Sequence, residues 1–349
     1  MNSKKVLVAV SGGVDSGAAV YLLKKAGYQV SAIMLRLYDK TDENGNIIET
    51  EVNSARQLSE DLGIEFIYAD YREEFKKDVI ENFVKSYIEG KTPNPCVECN
   101  RSVKFRYVFD YAEKNGFDFI ATGHYARVLN DTQSFYLCKA KDTKKDQSYV
   151  LYNLTQSQLS KLLLPLGEYS KEEVRGFAKA AGLKNYNKAD SQDICFINGD
   201  YYDFIKEYTG ETFPEGSFID KDGNILGTHK GIIRYTIGQR KGLGLSFDSP
   251  RFVVSKNPLN NTVTLGKSEE LFHDTVLAER VNILCNEFKD EIRCEAMVRY
   301  NQKPQPATAY LLEDNTLKVV FDDPQRAPSP GQSLVLYKDE RLIGGGIIK

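Results

Sequence analysis

Three groups of residues have types and spacing that could do chemistry. The first is Ser11-Gly12-Gly13-Val14-Asp15-Ser16, set between the apolar run Lys5–Val10 and a helical pattern. Two adjacent glycines allow a tight turn that presents successive backbone N–H groups. A helix N-terminus directly after it adds orphan donors and partial positive charge. Such a loop suits an anion such as pyrophosphate, although an ordinary Gly-Gly turn is the plain alternative. It has neither the Lys of a Walker loop nor the spacing of a dinucleotide fingerprint.

The second group is cysteine. Of six cysteines, Cys96 and Cys99 form the one close C-x-x-C pair, after Pro93-Asn94-Pro95 and just ahead of a predicted helix. A thiolate is favoured near a helix N-terminus. Cys195 lies downstream in Asp190-Ser191-Gln192-Asp193-Ile194-Cys195-Phe196. Half a zinc site or a redox dithiol are alternatives for the pair, but a closed zinc site needs four ligands and histidines number only three. Cys138, Cys285 and Cys294 sit in alternating stretches and read as small buried hydrophobes.

The third group is basic. Ile225–Phe247 holds Lys230, Arg234, Arg240 and Lys241 with no Asp or Glu, together with His229, Tyr235 and several glycines. A solvated hairpin face would explain four cations. A one-sign, glycine-rich stretch in an acidic chain instead favours contact with phosphates.

The elements that must position these groups follow from periodicity. Strands are expected at Lys5–Val10, Gln29–Leu37, Glu65–Ala69 and Asp118–Thr122, with helices at Gly17–Lys25, Asn53–Leu62 and Phe105–Asn115. This alternation predicts an α/β doubly wound parallel sheet. Ser170 with Glu173 is a capping box opening a helix that closes near Gly182. A helix is expected at Asp200–Tyr208, then a small, mostly β central domain. From about Asp274, strands at Glu295–Tyr300, Ala307–Leu312, Leu317–Phe321, Ser333–Tyr337 and Leu342–Ile348 predict a C-terminal β-barrel. The expected domains are 1–199, 200–273 and 274–349.

With 41% hydrophobic and 27% charged residues, the composition excludes a disordered chain. The 46 basic and 49 acidic residues give a net charge of −3, which excludes a bulk polycation and leaves nucleic acid to local patches. No apolar run reaches the roughly 18 residues of a membrane span, and the N-terminus lacks a signal-peptide pattern. A cytoplasmic protein with no membrane partner is expected, and in that reducing compartment the cysteines read as reactive groups or ligands.

The S-G-G-V-D-S loop resembles that of the N-type ATP pyrophosphatases, which adenylate a substrate. With it, the G-K-T-P-N-P-x-x-x-C-N segment, A-T-G-H-Y-A-R at Ala121–Arg127, Lys145-Asp146-Gln147-Ser148, S-Q-D-I-C-F and I-G-Q-R-K-G-L-G resemble the tRNA-specific 2-thiouridylase family, in order and across the whole chain. The resemblance implies ATP-dependent adenylation of the wobble uridine C2 oxygen in tRNAs for Lys, Glu and Gln, followed by sulfur transfer. It implies ATP contacts at Ala9, Val10, Ser11, Gly12, Gly13, Val14, Asp15 and Ser16, with Met34 and Gly123 near the adenosine and Mg²⁺ on the phosphates. It makes Cys195 the persulfide carrier and Cys99 the nucleophile, passing through a Cys99–Cys195 disulfide. Asn94, Pro95 and Cys96 would meet the target base. Lys145, Asp146, Gln147, Arg299 and Tyr300 would contact the tRNA, joined by Lys230, Arg240 and Lys241 on the anticodon arm. A cysteine desulfurase or sulfur-relay protein would supply the sulfur.

Many family members carry Asp where this chain has Cys96. Cys96, Cys99 and Cys195 could therefore instead hold a 4Fe-4S cluster with one open iron that delivers sulfide, an arrangement that resembles archaeal-type thiouridine synthetases. More distant alternatives are another adenylating synthetase of the superfamily and a nucleotide-binding redox or iron–sulfur sensor.

Overall fold

Val6, Leu7 and Val8 have no solvent exposure, as befits a strand covered on both faces. They lie in β1 (Lys5–Ala9), followed by α1 (Val14–Lys25), β2 (Gln29–Arg36), α2 (Thr50–Asp61), β3 (Glu65–Asp70) and the short α3 (Arg72–Phe75). This computed structural model describes residues 3–41, 46–183, 186–187 and 194–349. The chain divides into two compact units: residues 1–80, 96–192 and 340–342, and residues 81–95, 193–339 and 343–349.

In the first unit, helix α1 begins three residues before the expected Gly17. Gly13, extended at φ −91° and ψ 170°, is its N-cap, so Val14, Asp15 and Ser16 form its first turn. Ala18, Ala19, Val20 and Leu23 of α1 are buried. After α4 (Glu81–Ile88), which belongs to the second unit, come α5 (Pro95–Cys99), a π-helical turn at Asn100–Lys104 and α6 (Phe105–Lys114). Next come β4 (Phe119–Thr122), the hairpin β5 (Arg127–Asn130) and β6 (Phe135–Cys138), α7 (Gln156–Leu159), β7 (Leu162–Leu163) and α8 (Lys171–Ala180). The parallel sheet has the order β3-β2-β1-β4-β7. Chain direction across the sheet reverses between β1 and β4, the switch point where open α/β sheets bind ligands. The Ser170–Glu173 capping box opens α8 as expected.

The second unit carries α9 (Tyr201–Thr209) and then strands. β8 (Gly216–Ile219), β9 (Ile225–His229), β10 (Phe252–Asn257) and β11 (Thr262–Gly266) make a sheet of order β10-β11-β8-β9. The six remaining strands are β12 (Phe272–Ile283), β13 (Glu291–Met297), β14 (Gln305–Leu311), β15 (Leu317–Arg326), β16 (Ser333–Lys338) and β17 (Arg341–Ile348). They run β12-β15-β14-β13-β16-β17, and β12 pairs β17 to close an antiparallel barrel. Leu317, Val319, Ala307, Ala309 and Leu334 fill it with no exposure. The barrel opens at Phe272, with a strand that the alternating pattern does not mark.

Candidate active site

The Ser11–Ser16 segment stands at the C-terminal end of β1, where the sheet diverges. Gly12 has φ +70°, and a Cβ there would lie 2.2 Å from the Glu51 carbonyl oxygen, so only glycine fits. A Cβ on Gly123 would lie 2.8 Å from Ser16 N, which is how closely the segment after β4 approaches the first turn of α1. The Ser11 N–H donates to Ser16 Oγ at 3.2 Å, and Ser16 Oγ donates to the Gly13 carbonyl at the same distance. Met34, on β2, pairs with Tyr68 of β3. Ala9 ends β1 opposite Thr122, and the Val10 N–H reaches the Ile33 carbonyl. The first unit thus gathers every residue expected around ATP onto one sheet edge.

Periodicity does not mark the cation that faces this loop. Lys171, the first residue of α8, places its ammonium 2.7 and 2.9 Å from the two carboxylate oxygens of Asp15. The Tyr125 hydroxyl donates to the same carboxylate at 2.8 Å, and the ammonium lies 5.6 Å from the Tyr125 ring centroid. Gln147 braces Tyr125 from both sides: its Oε1 accepts from the Tyr125 N–H at 3.0 Å and its N–H donates to the Tyr125 carbonyl at 2.8 Å. The A-T-G-H-Y-A-R string and the lysine just after a capping serine are the available signals.

Asp146 is bound inward. It accepts from the Ala140 N–H at 2.8 Å and the Ser148 hydroxyl at 2.7 Å, and burial raises its carboxyl above the usual range. Asp146 and Gln147 are expected from the resemblance to meet RNA; in the structure their side chains bond internally, next to a half-buried Lys145.

The cysteine pair is not ahead of a helix but inside one, since Pro95–Cys99 is itself a helical turn. Pro at the first position of a turn lacks only an N–H that would be unsatisfied anyway. Cys96 is exposed and Cys99 buried. Asn100 donates to the Val150 carbonyl at 3.3 Å, while its Oδ1 is buried without a partner. His124 shares a 2.8 Å hydrogen bond between Nδ1 and Thr122 Oγ1 and stacks on Phe105. Burial, aided by the Lys104 charge, pushes its pKa down to about 3, so the ring is neutral at physiological pH. Cys138 and Cys294 are buried, as their alternating setting suggests, and burial pushes the Cys294 thiol up to about 12.

In the second unit, Thr92 is fixed by its N–H to the Pro330 carbonyl and by the Gln332 amide to its own carbonyl, both at 2.7 Å. Asn94 is half-buried and Pro95 buried. Cys195 is exposed in a turn closed by the Ile197 N–H on the Ile194 carbonyl. Its neighbour Phe196 packs edge-on against Phe83, with centroids 5.5 Å apart. Asp190 to Asp193 of that motif lie outside the described residues. Lys230, Arg240 and Lys241 are exposed, but on a loop following β9 rather than on a hairpin face. His229 is fully buried and bonds through Nε2 to the Asn261 carbonyl, so it adds no charge there. Arg234 is turned onto the Tyr202 ring, 3.3 Å from its centroid. Arg299 and Tyr300 occupy the turn after β13.

Family models cover nearly the whole chain: a tRNA methyl transferase HUP domain at residues 4–199, a tRNA methyl transferase PRC-barrel domain at 202–267 and an aminomethyltransferase beta-barrel domain at 273–348. Similarity to individual proteins is sharper. The tRNA-specific 2-thiouridylase MnmA of Clostridioides difficile is 46% identical, covering 99% of this chain and 98% of that protein. The MnmA of Clostridium kluyveri is also 46% identical, covering 99% of each. The chain belongs to the tRNA-specific 2-thiouridylase family.

Membership of this family, with its N-terminal HUP domain, supports the use of ATP. The cluster alternative is not favoured. The relatives matched along the whole chain are 2-thiouridylases by name, and among the described residues no group of three His, Cys, Asp or Glu side chains that could hold a metal ion is found. Among the same residues no helix is long and apolar enough to cross a membrane.

Proposed function

We propose that this 2-thiouridylase activates the wobble uridine of tRNAs for Lys, Glu and Gln by adenylation and then replaces its C2 oxygen with sulfur. The whole-chain identity to 2-thiouridylases carries this reading, and the loop geometry supports the first step. The C2 oxygen attacks the α-phosphate of ATP, pyrophosphate leaves, and the oxygen becomes part of an AMP leaving group. Backbone N–H groups of residues 11–16 and the α1 N-terminus hold the departing phosphates. Mg²⁺ comes with the triphosphate and offsets its charge. Lys171 adds a cation at the same edge, with Asp15, Tyr125 and Gln147 orienting it until phosphate arrives.

Sulfur arrives on Cys195 as a persulfide from a desulfurase or relay protein, and the exposure of Cys195 suits such a hand-over. The terminal sulfur attacks C2, and AMP departs with the original oxygen. The Cys99 thiolate then attacks Cys195 Sγ and breaks the S–S bond to the base. 2-Thiouridine is released, leaving a Cys99–Cys195 disulfide for a cellular thiol to reduce. Residues 1–199 perform this chemistry, while 200–273 and 274–349 hold the anticodon arm through Lys230, Arg240, Lys241, Arg299 and Tyr300. Asn94, Pro95 and Cys96 meet the flipped base. The setting is the cytoplasm.

Withholding the sulfur donor tests the order of steps. With α-labelled ATP and unmodified tRNA, label should accumulate on tRNA while pyrophosphate is released once per tRNA. Pyrophosphate release that depends on the sulfur donor, with no labelled tRNA, would contradict adenylation as the first step.

A further inference from the structure

Arg299 and Arg326 form one device at the junction of the barrel and the loop that carries Arg240 and Lys241. The Arg299 Nη2 donates to the Arg326 carbonyl and, at 3.2 Å, to the Ala327 carbonyl. Ala327 is buried at φ +53°, a conformation that a non-glycine residue keeps only when its surroundings hold it. Three more bonds do so: the Ala327 N–H reaches the Leu271 carbonyl at 2.7 Å, Ser329 Oγ donates to the Ala327 carbonyl at 3.2 Å, and the Arg326 backbone pairs with Phe272. Strain held this firmly in a connecting turn points to a side chain that must be aimed.

The side chain so aimed is Arg326. Its guanidinium carbon lies 5.1 Å from the Phe252 ring centroid, and it makes no ion pair with any described residue. Arg293 and Arg72, by contrast, are committed to carboxylates, the first to Asp322 and the second to Asp70 and Asp39. Gly238 comes against this turn: a Cβ there would lie 3.0 Å from Ala327 Cβ and 3.7 Å from Arg326 Nη1. Gly238 is anchored by its N–H on the Val253 carbonyl at 2.8 Å, two residues before Arg240. An arginine packed on a ring loses little freedom on binding, and its fork matches phosphate oxygens.

We propose that Arg326 is a further RNA-contacting residue of this enzyme, binding a backbone phosphate beside the Arg240–Lys241 loop, and that Arg299 is a positioning residue acting through it. The proposal rests on the tRNA-modifying reading above. It reassigns part of the RNA grip from the residue suggested by resemblance to one that the geometry supplies.

The test is the salt dependence of binding to unmodified tRNA. Arg326→Ala should weaken binding about tenfold and lower the slope of log K against log salt by about 0.9, the share of a single neutralised phosphate, while ATP-dependent adenylation at saturating tRNA persists. Arg326→Gln, which keeps the stem on Phe252, should show the same fall in slope and guards against misfolding of the alanine variant. Arg299→Ala should lower the slope equally, and the double variant should lower it no further. Wild-type binding with an unchanged slope in a folded Arg326→Gln variant would overturn the assignment. Independent, additive falls in slope would overturn the coupling. A wild-type protein that binds no tRNA would instead overturn the underlying reading.

Discussion

Lys171 and Asp15, 156 residues apart in sequence, form a two-point ion pair at 2.7 and 2.9 Å across the first turn of α1. The Lys171 side chain is 10% exposed and that of Asp15 32%, so each shields the other from water. A phosphate entering beside the loop would meet an ammonium already fixed in direction, with no side chain left to order at the moment of reaction.

Lys171→Met should therefore lower pyrophosphate release by about 100-fold or more while leaving tRNA binding intact. It should also lower stability modestly, by about 1 kcal/mol, since the partly exposed Asp15 carboxylate loses its ammonium but keeps the Tyr125 hydroxyl. Asp15→Ala should lose pyrophosphate release and likewise retain tRNA. The double variant Asp15→Asn, Lys171→Met should be less destabilised than the sum of the singles. Normal 2-thiouridine formation by either single variant would remove this pair from the chemistry.

His124 predicts an acid limb of stability. Its folded pKa is held at about 3 against an ordinary 6.5, so below 6.5 the unfolded chain binds a proton that the folded protein refuses. The stabilisation is complete above about 6.5 and falls away progressively as pH drops towards 3. Thermal melts at about pH 7.5 and pH 5 should differ by more in the wild type than in His124→Phe. An identical acid limb in the two proteins would contradict the neutral ring.

The thiols divide by exposure. Cys96 and Cys195 are exposed, Cys285 is half-buried, and Cys99, Cys138 and Cys294 are buried. Native alkylation read by mass spectrometry should label Cys96 and Cys195 first, with the buried three slower by about 100-fold. Cys99→Ser and Cys195→Ser should each abolish thiolation, whereas Cys96→Asp should retain most of it. Loss of all activity in Cys96→Asp would return the three-cysteine alternative to contention.

Replacing Lys230, Arg240 and Lys241 together with Ala should lower the salt slope of tRNA binding by up to about 0.9 for each phosphate that these cations neutralise, with ATP binding unchanged. An unchanged slope would make this stretch a solvated surface.

Much of the fold is legible in the chain alone. The β1–α1 loop is legible because a strand, two glycines and a helix are local patterns, and only the helix start moves, since Gly13 caps it. The Lys171–Asp15 pair is not, because nothing local links a capped helix to a loop 156 residues away. The hairpin β5–β6, with four residues in each strand, is not marked by periodicity. Two nearby prolines signal a loop at Pro95–Cys99, although Pro95 at the first position of a turn is compatible with helix. Asp146 and Gln147 match an RNA-contacting string, and their internal bonds to Ala140, Ser148 and Tyr125 are a bracing role that no local pattern shows, because it depends on packing.

The most direct measurement is the product balance of one reaction. Unmodified tRNA for Lys, ATP and a desulfurase-charged persulfide should be incubated with the enzyme and the nucleosides resolved by mass spectrometry. The expected product is 2-thiouridine at the wobble position, with one AMP and one pyrophosphate released for each thiolated base. A methylated nucleoside, or 2-thiouridine formed without matching AMP, would contradict it.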